Sequence, residues 1–314
     1  MNGLRAYDLR LVTESAAKAA HDGILAGDLM MADKSAILAM HGALQALQLD
    51  AKVLIGKGPS SETSVLFHGE RLRPSDTRPC WDLVLDPMEG TSFLASGMTN
   101  AMACLAIAPP GKVFDPGPAF FMEKLVVPPA AQGKVDPNTP IKTRLKDLSL
   151  ALGKRIDQLV IFVLEKPRHR DLVDQIKMAG AKVSQFPAGD VAGSLMAAIP
   201  NSGIDCMMGI GGSPEGILSA IAIKMMGGDF FCRLAPLLTM ERKAVADAGL
   251  DTDSWIGLNQ LVCTDKALFC ATGISSGLLL NGIERDGDLF KVQSLLIGGE
   301  AKPRQILTSW HSES

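Results

Sequence analysis

The sequence has one tyrosine, Tyr7, and three tryptophans in 314 residues. With Tyr7 the only tyrosine, the aromatic stacking platforms on which single-stranded nucleic acids are held are not expected. Basic runs are also missing and the formal net charge is -3, so the electrostatic footprint of a nucleic-acid partner is absent; an anionic ligand would have to be held by local charges or a metal. No apolar stretch approaches the ~20 residues that span a bilayer, and Arg5 and Arg10 lie among polar residues with no signal-peptide core between them. The expectation is a cytoplasmic protein without membrane contact. The six cysteines (Cys80, Cys104, Cys206, Cys232, Cys263 and Cys270) never form a Cys-x-x-Cys pair and lie mostly in apolar runs. That pattern points to buried free thiols rather than disulfides or a zinc site.

What the chain does have is apolar content, 47% of its residues, enough at this length for two domains or one large layered α/β unit. Leu11, Ala16, Ala19, Ala20 and Ile24 recur at helical spacing and predict a first helix over 8–26; Ile37, Met40, Leu44 and Leu47 predict a second over 32–47. Strands are expected at 52–56, 65–67, 83–85, 102–107 and 122–127, with 65–67 and 102–107 flanking the central one. A connector rich in Pro and Gly, 128–140, offers the place to divide the chain, giving an N-terminal α/β half over 1–140 and a C-terminal half over 141–314. The second half alternates: helix 142–152, strand 158–164, helix 168–179, strand 182–186, helix 190–198, strand 204–209, helix 214–226. A helix near 237–249 and strands near 259–263, 267–271 and 291–297 follow, and such alternation indicates helices layered on sheets.

The stretch that carries chemistry is Asp82-Leu-Val-Leu-Asp86-Pro87-Met88-Glu89-Gly90-Thr91. The apolar run delivers Asp86 and Glu89 to a strand end, where Pro87 and Gly90 turn the chain, and a hydroxyl, Thr91, follows. Convergent carboxylates suit a hard divalent cation beside a phosphate ester. Alone, the same pattern also serves as a polar turn closing a strand. Asp33 is either a first-turn acid favoured by the helix dipole or a metal ligand. Lys166-Pro167-Arg168-His169, Gly189-Asp190 and Gly211-Gly212-Ser213-Pro214-Glu215-Gly216 all follow apolar strands, where open α/β sheets place anionic ligands.

Taken in order, these stretches resemble the class II fructose-1,6-bisphosphatases, members of the metal-dependent, lithium-sensitive sugar phosphatase fold. The matching landmarks are Val12-Thr13-Glu14, Gly27-Asp28 with Asp33, Ile55-Gly56, Asp86 to Thr91, Met122-Glu123-Lys124-Leu125, Ala151-Leu152-Gly153-Lys154, Lys166 to His169, Gly189-Asp190-Val191-Ala192, Gly209 to Gly216, and Ala271-Thr272-Gly273-Ile274. The resemblance implies an α/β fold, an αβαβα layered sandwich of the sugar phosphatase type, hydrolysing fructose 1,6-bisphosphate with Mn²⁺ or Mg²⁺ as a homo-oligomer, dimer or tetramer. By position it makes Asp86, Glu89 and Glu215 ligands of one metal and Asp33 a ligand of another. Thr91, with Asp86 and Glu89, is carried over as catalytic, Thr91 orienting the attacking water. Glu89, Gly90, Thr91, Phe121, Lys166, Pro167, Arg168, Ala188, Gly189, Asp190 and Gly212 are carried over as substrate contacts, with Lys166 and Arg168 on the distal phosphate because both cations bind phosphate oxygens well.

The chain departs from the family pattern on one side of that pocket. Where the family reads Gly-Glu-Gly-Glu-x-Asp, this loop reads Gly56-Lys57-Gly58-Pro59-Ser60-Ser61, and an ammonium, all donors and no acceptor, cannot ligate a cation. Asp28-Leu29-Met30 replaces Asp-Lys-Asn, Phe121 a tyrosine and Ala188 an aspartate, and the region 233–255 is shorter than its counterpart. Two readings follow. One is an active phosphatase using the Asp86, Glu89 and Glu215 metal, with Glu62 moved into the altered loop; the other is a silent relative that binds sugar phosphates or serves assembly, with Lys57 in place of the missing cation.

Overall fold

The computed structural model describes residues 5–58, 64–73, 80–95, 98–299 and 304–312. In chain order the elements are α1 (Ala6–Leu25), α2 (Leu29–Ala46), β1 (Ala51–Ile55), β2 (Trp81–Glu89), α3 (Thr91–Ala95), β3 (Met102–Ala108), β4 (Phe121–Val127), α4 (Ile141–Leu152), β5 (Val160–Leu164), α5 (Arg170–Met178), β6 (Lys182–Phe186), α6 (Asp190–Ala198), β7 (Cys206–Gly212), α7 (Ser213–Met226), β8 (Asp229–Leu234), α8 (Thr239–Asp247), β9 (Ile256–Gly257), α9 (Leu258–Leu261), β10 (Leu268–Gly273), β11 (Glu284–Asp286), β12 (Leu289–Gly298) and β13 (Arg304–Ser312). The chain divides into two compact units, one of residues 1–113 with 264–314, the other of 114–263. The division expected near 140 differs because β4, on the near side of that connector, is paired on both edges with β7 and β8 of the second unit. Sequence composition marks a flexible stretch; strand pairing decides which unit owns it.

The first unit holds a mixed sheet in the order β1-β2-β3-β10-β12-β11, with β13 also paired to β12. Helices α1 and α2 cover one face of it. Leu9, Val12 and Ala16 of α1 and Ala36, Met40 and Leu44 of α2 pack with Leu83, Leu85, Leu105 and Cys270 in one buried cluster. The two helices cross closely because small residues meet: a Cβ on Gly23 would lie 2.6 Å from the Ala32 Cα. Asp28 caps α2 by accepting the Met31 N–H at 2.9 Å, which satisfies one of the donors a helix start leaves open. Thr13 and Glu14, buried on α1, bond into the sheet: Thr272 donates to Thr13 at 2.7 Å and Ser294 to Glu14 at 3.2 Å.

In the second unit the order is β6-β5-β7-β4-β8-β9. Side chains alternate with period two, so that Leu125, Val127, Ile161, Val163, Cys206 and Met208 meet α4 and α5 in one cluster. Their neighbours face the other way, where Phe162 packs on Gly193 of α6 and Met122 on Gly216 of α7. This unit is an α, β, α stack, and the first, taken by itself, is a helical layer on a sheet. The α/β class expected from the sequence is the class observed.

Three local expectations differ. Residues 65–67 form a turn, not a strand: Leu66 is buried at φ 56, in the left-handed region, and β1 takes the place beside β2. Residues 258–261 are the short helix α9 rather than a strand, and the strand expected at 204–209 runs on to Gly212. Cys104, Cys206, Cys232 and Cys270 are buried free thiols as expected, while Cys80 and Cys263 are exposed. Burial pushes the Cys232 and Cys270 thiols up to about 12, which leaves them inert at neutral pH. Among the described residues no helix is long and apolar enough to cross a membrane.

Candidate active site

In the first unit the chemistry gathers at the end of β2. Its ladder with β3 shifts register between Asp86 and Glu89, and Pro87, which has no N–H to donate, sits in that bulge. Asp86 Oδ1 accepts the Met88 N–H at 3.2 Å and so fixes the local turn. The strand therefore continues through Pro87 to Glu89 instead of breaking there. Gly90 follows at φ 88, and a Cβ there would lie 2.8 Å from the Asn100 carbonyl oxygen, so only glycine fits. Glu89 is buried, Asp86 half-buried, and Thr91 exposed at the start of α3.

Lys57 comes to the same place from the end of β1. A Cβ on Gly56 would meet the Leu66 carbonyl oxygen at 2.1 Å, and the Lys57 N–H donates to that oxygen at 2.9 Å. Pinned there, the Lys57 Nζ lies 2.8 Å from Asp33 Oδ1 and 3.7 Å from Asp86 Oδ1, with 22% of its side chain exposed. Burial works against its charge, but the attraction of Asp86 and then of Asp33 outweighs it, so its pKa is raised. Asp33 is thus an ion-pair partner, more than a helix-dipole acid. A recess of 410 Å³ lined by Met30, Asp33, Lys57 and Val65 lies alongside. Pro59 to Glu62 lie outside the described residues.

A divalent cation on Asp33 does not fit this arrangement. It would need a carboxylate oxygen at about 2.0–2.1 Å, yet Oδ1 already accepts from the ammonium. A second positive charge ~4 Å away costs roughly 4 kcal/mol per unit charge at an effective dielectric of 20, about double for a divalent ion. Among the described residues, no group of three or more His, Cys, Asp or Glu side chains is gathered to hold a metal.

In the second unit, loops at strand ends bring a second group together. Lys124, the one charge among the inward positions Met122, Lys124 and Val126 of β4, is fully buried; its Nζ lies 2.6 Å from Asp190 Oδ2 and donates to the Gly212 carbonyl at 2.7 Å. Asp190 opens α6 after Gly189, which stands at φ 88. The close packing explains the run of glycines in β7: a Cβ on Gly211 would lie 1.8 Å from Asp190 Oδ2, and one on Gly212 1.9 Å from Glu215 Oε2. Lys124 was given no role by sequence reasoning, although period two in an apolar strand turns it inward and so signals it. Ser213, at the start of α7, was also missed and is buried.

Arg168 donates from Nε and Nη2 to the Ile210 carbonyl at 3.1 and 2.8 Å, and its guanidinium lies 5.5 Å from the Phe121 ring centroid. The phenyl ring that replaces a tyrosine supplies that stacking surface without a hydroxyl. Lys166 and Pro167 line a recess of 640 Å³ with Arg170, and Lys166 makes no ion pair among the described residues. Ala188 is half-buried and contributes only a methyl group.

His169 ties the two loops. The Ile210 N–H donates to its Nε2 at 2.8 Å, so the proton sits on Nδ1, which donates to the Leu164 carbonyl at 2.7 Å. Burial lowers its pKa, because the charged imidazolium loses its hydration there. The folded state therefore binds a proton less readily than the unfolded chain. The stability it contributes is complete above pH ~6.5, the unfolded value, and is lost as pH falls from there toward the folded value. Unfolding free energies measured in urea should fall across that window, and His169→Asn should flatten the slope.

A family described as bacterial fructose-1,6-bisphosphatase, glpX-encoded, matches residues 4–311. A fructose-1,6-bisphosphatase class 2 from Haemophilus influenzae is 37% identical over 99% of this chain and 97% of its own length. A fructose-1,6-bisphosphatase 1 class 2 from Escherichia coli is 34% identical over 98% of this chain and 94% of its own.

Proposed function

The chain belongs to the bacterial class 2 fructose-1,6-bisphosphatase family, and on that premise we propose that it hydrolyses the 1-phosphate of fructose 1,6-bisphosphate, releasing fructose 6-phosphate and inorganic phosphate. The observation that carries this is the bulge at the end of β2, which leaves Pro87 and Met88 unpaired between Asp86 and Glu89 and so sets both carboxylates at the strand end beside Gly90 and Thr91. The resemblance implies a metal-dependent enzyme, and the carboxylate oxygens of Asp86 and Glu89 are the kind of donor that Mn²⁺ or Mg²⁺ takes. Such an ion, when bound, neutralises charge on the transferred phosphoryl oxygens.

The chain's own residues do the rest. Thr91 orients a water for attack on phosphorus, the bond from phosphorus to the sugar oxygen breaks, and the proton released by the water offsets the charge left on that oxygen. Arg168, stacked on Phe121, and Lys166 hold the distal phosphate, the arginine with the N–H groups not committed to Ile210. Asp190 accepts a hydrogen bond from a sugar hydroxyl, and Gly189 and Gly212 let the ligand approach the backbone. A homo-oligomeric state, dimer or tetramer, and a cytoplasmic location belong to the same proposal.

The test is phosphate release from fructose 1,6-bisphosphate with added Mn²⁺. Turnover abolished by chelation and restored by Mn²⁺ is expected. A chain that releases no phosphate, yet melts at a higher temperature with sugar bisphosphates in the absence of metal, would instead be the silent binding relative.

A further inference from the structure

We infer that the Lys57 ammonium is a built-in cation: it holds Asp33 and the near oxygen of Asp86 in place of a divalent ion, so that this chain binds one metal ion fewer than its carboxylates would otherwise collect. The inference rests on the reading of Asp86 as a metal ligand. Asp33 from α2 and Asp86 from the β2 bulge come from elements far apart in sequence, and the Nζ of Lys57 reaches both of them, at 2.8 and 3.7 Å. An adventitious surface pair would come from a free loop, whereas this lysine is set by two close backbone approaches. Gly56 has no room for a Cβ against Leu66, and Leu66 itself is buried in the left-handed region that a leucine rarely adopts.

The consequences differ from those of an ordinary metal site. A lysine is tethered, so the charge it supplies does not depend on metal concentration or on chelators. Its three N–H groups donate, so it can hold carboxylates or a phosphate oxygen but cannot lower the pKa of a bound water as a metal does. Asp33 then becomes a residue that positions Lys57, and the remaining ion, on Asp86 and Glu89, is the only one that the chain loads.

Mn²⁺ binding, followed by the loss of the free-ion electron paramagnetic resonance signal, tests this on the full chain without any assay of turnover. Wild type should take up one ion per chain, and Asp33→Asn should alter its Mn²⁺ affinity less than about threefold. Lys57→Glu should bind one ion more, and in that background Asp33→Asn should weaken the added ion by more than about tenfold, the scale of a lost ligand contact. Because three carboxylates without metal could impair folding, Lys57→Met serves as the second variant, and it should also gain an ion, more weakly. A wild type that binds two ions, one of them lost in Asp33→Asn, overturns the inference; so does a Lys57→Glu chain, folded by circular dichroism, that gains none. Should wild type bind no ion while Lys57→Glu binds one, the built-in cation stands and metal-dependent hydrolysis fails.

Discussion

Asp86→Ala is expected to lower phosphate release from fructose 1,6-bisphosphate by about a thousandfold or more, with little loss of stability. A metal held against a phosphoryl group supplies several kcal/mol of charge stabilisation in the transition state, and each ~1.4 kcal/mol lost is tenfold in rate. Losing a ligand that accounts for ~4 kcal/mol of it therefore gives roughly that factor. The folded state is less exposed to the change. Asp86 keeps 17% of its side chain in contact with water, and the Lys57 ammonium retains its nearer partner, Asp33, at 2.8 Å. Partly exposed ion pairs are typically worth about 0–1 kcal/mol, so the urea midpoint should barely move. Comparing kcat with Mn²⁺ for wild type and variant checks the first half, and equilibrium unfolding the second. Equal turnover by both proteins would remove Asp86 from the machinery and with it the proposed hydrolysis at this strand end.

The largest effect on stability should come from Lys124→Met. Lys124 has a fully buried side chain and Asp190 one that is 8% exposed, at 2.6 Å. Removing the cation leaves a carboxylate uncompensated in an apolar surround, and breaking one side of a buried pair costs about 3–5 kcal/mol. Replacing both charges is a different matter, because two apolar groups of similar shape leave nothing unsatisfied except the Gly212 carbonyl. Lys124→Met with Asp190→Leu should therefore recover most of the loss, and the two single changes should be strongly non-additive in urea unfolding. Additive losses would mean that the two charges do not depend on each other. The same experiment bears on the proposed sugar contact of Asp190: if Asp190 has that role, Lys124→Met should raise KM for the bisphosphate even at temperatures where the variant remains folded.

Long apolar runs and helical stripes were readable because burial demands them: α6 has the bounds that periodicity predicts, and β4 starts one residue early. That a donor stands at position 57 is plain from the residue type, but its pairing with Asp33 and Asp86 needs α2 and β2 side by side. What could not be read depends on partners remote in sequence. Leu66 reads as strand by its apolar neighbours, but its backbone is decided by Gly56 and by a bond from its N–H to Glu70. The strand β13 alternates half-buried and exposed residues and so lacks a clear apolar signal until β12 is beside it. Lys124 looked like one charge in a short motif; only the arrival of α6 at the sheet gives it Asp190.

The interrupted first unit has a consequence for how the protein is made. Strand β3 ends at Ala108, yet its partner β10 begins at Leu268 and occupies the centre of that sheet. As the ribosome extrudes the chain, the edge of β3 must wait, unpaired, while the whole of residues 114–263 emerges and can fold as a unit of its own. An open edge of buried-type sequence, Met102 to Ala108, is a template for pairing between nascent chains. Truncations ending near residue 263 should consequently give a soluble second unit fused to a sticky first one, and chaperone demand should peak just before the last fifty residues appear.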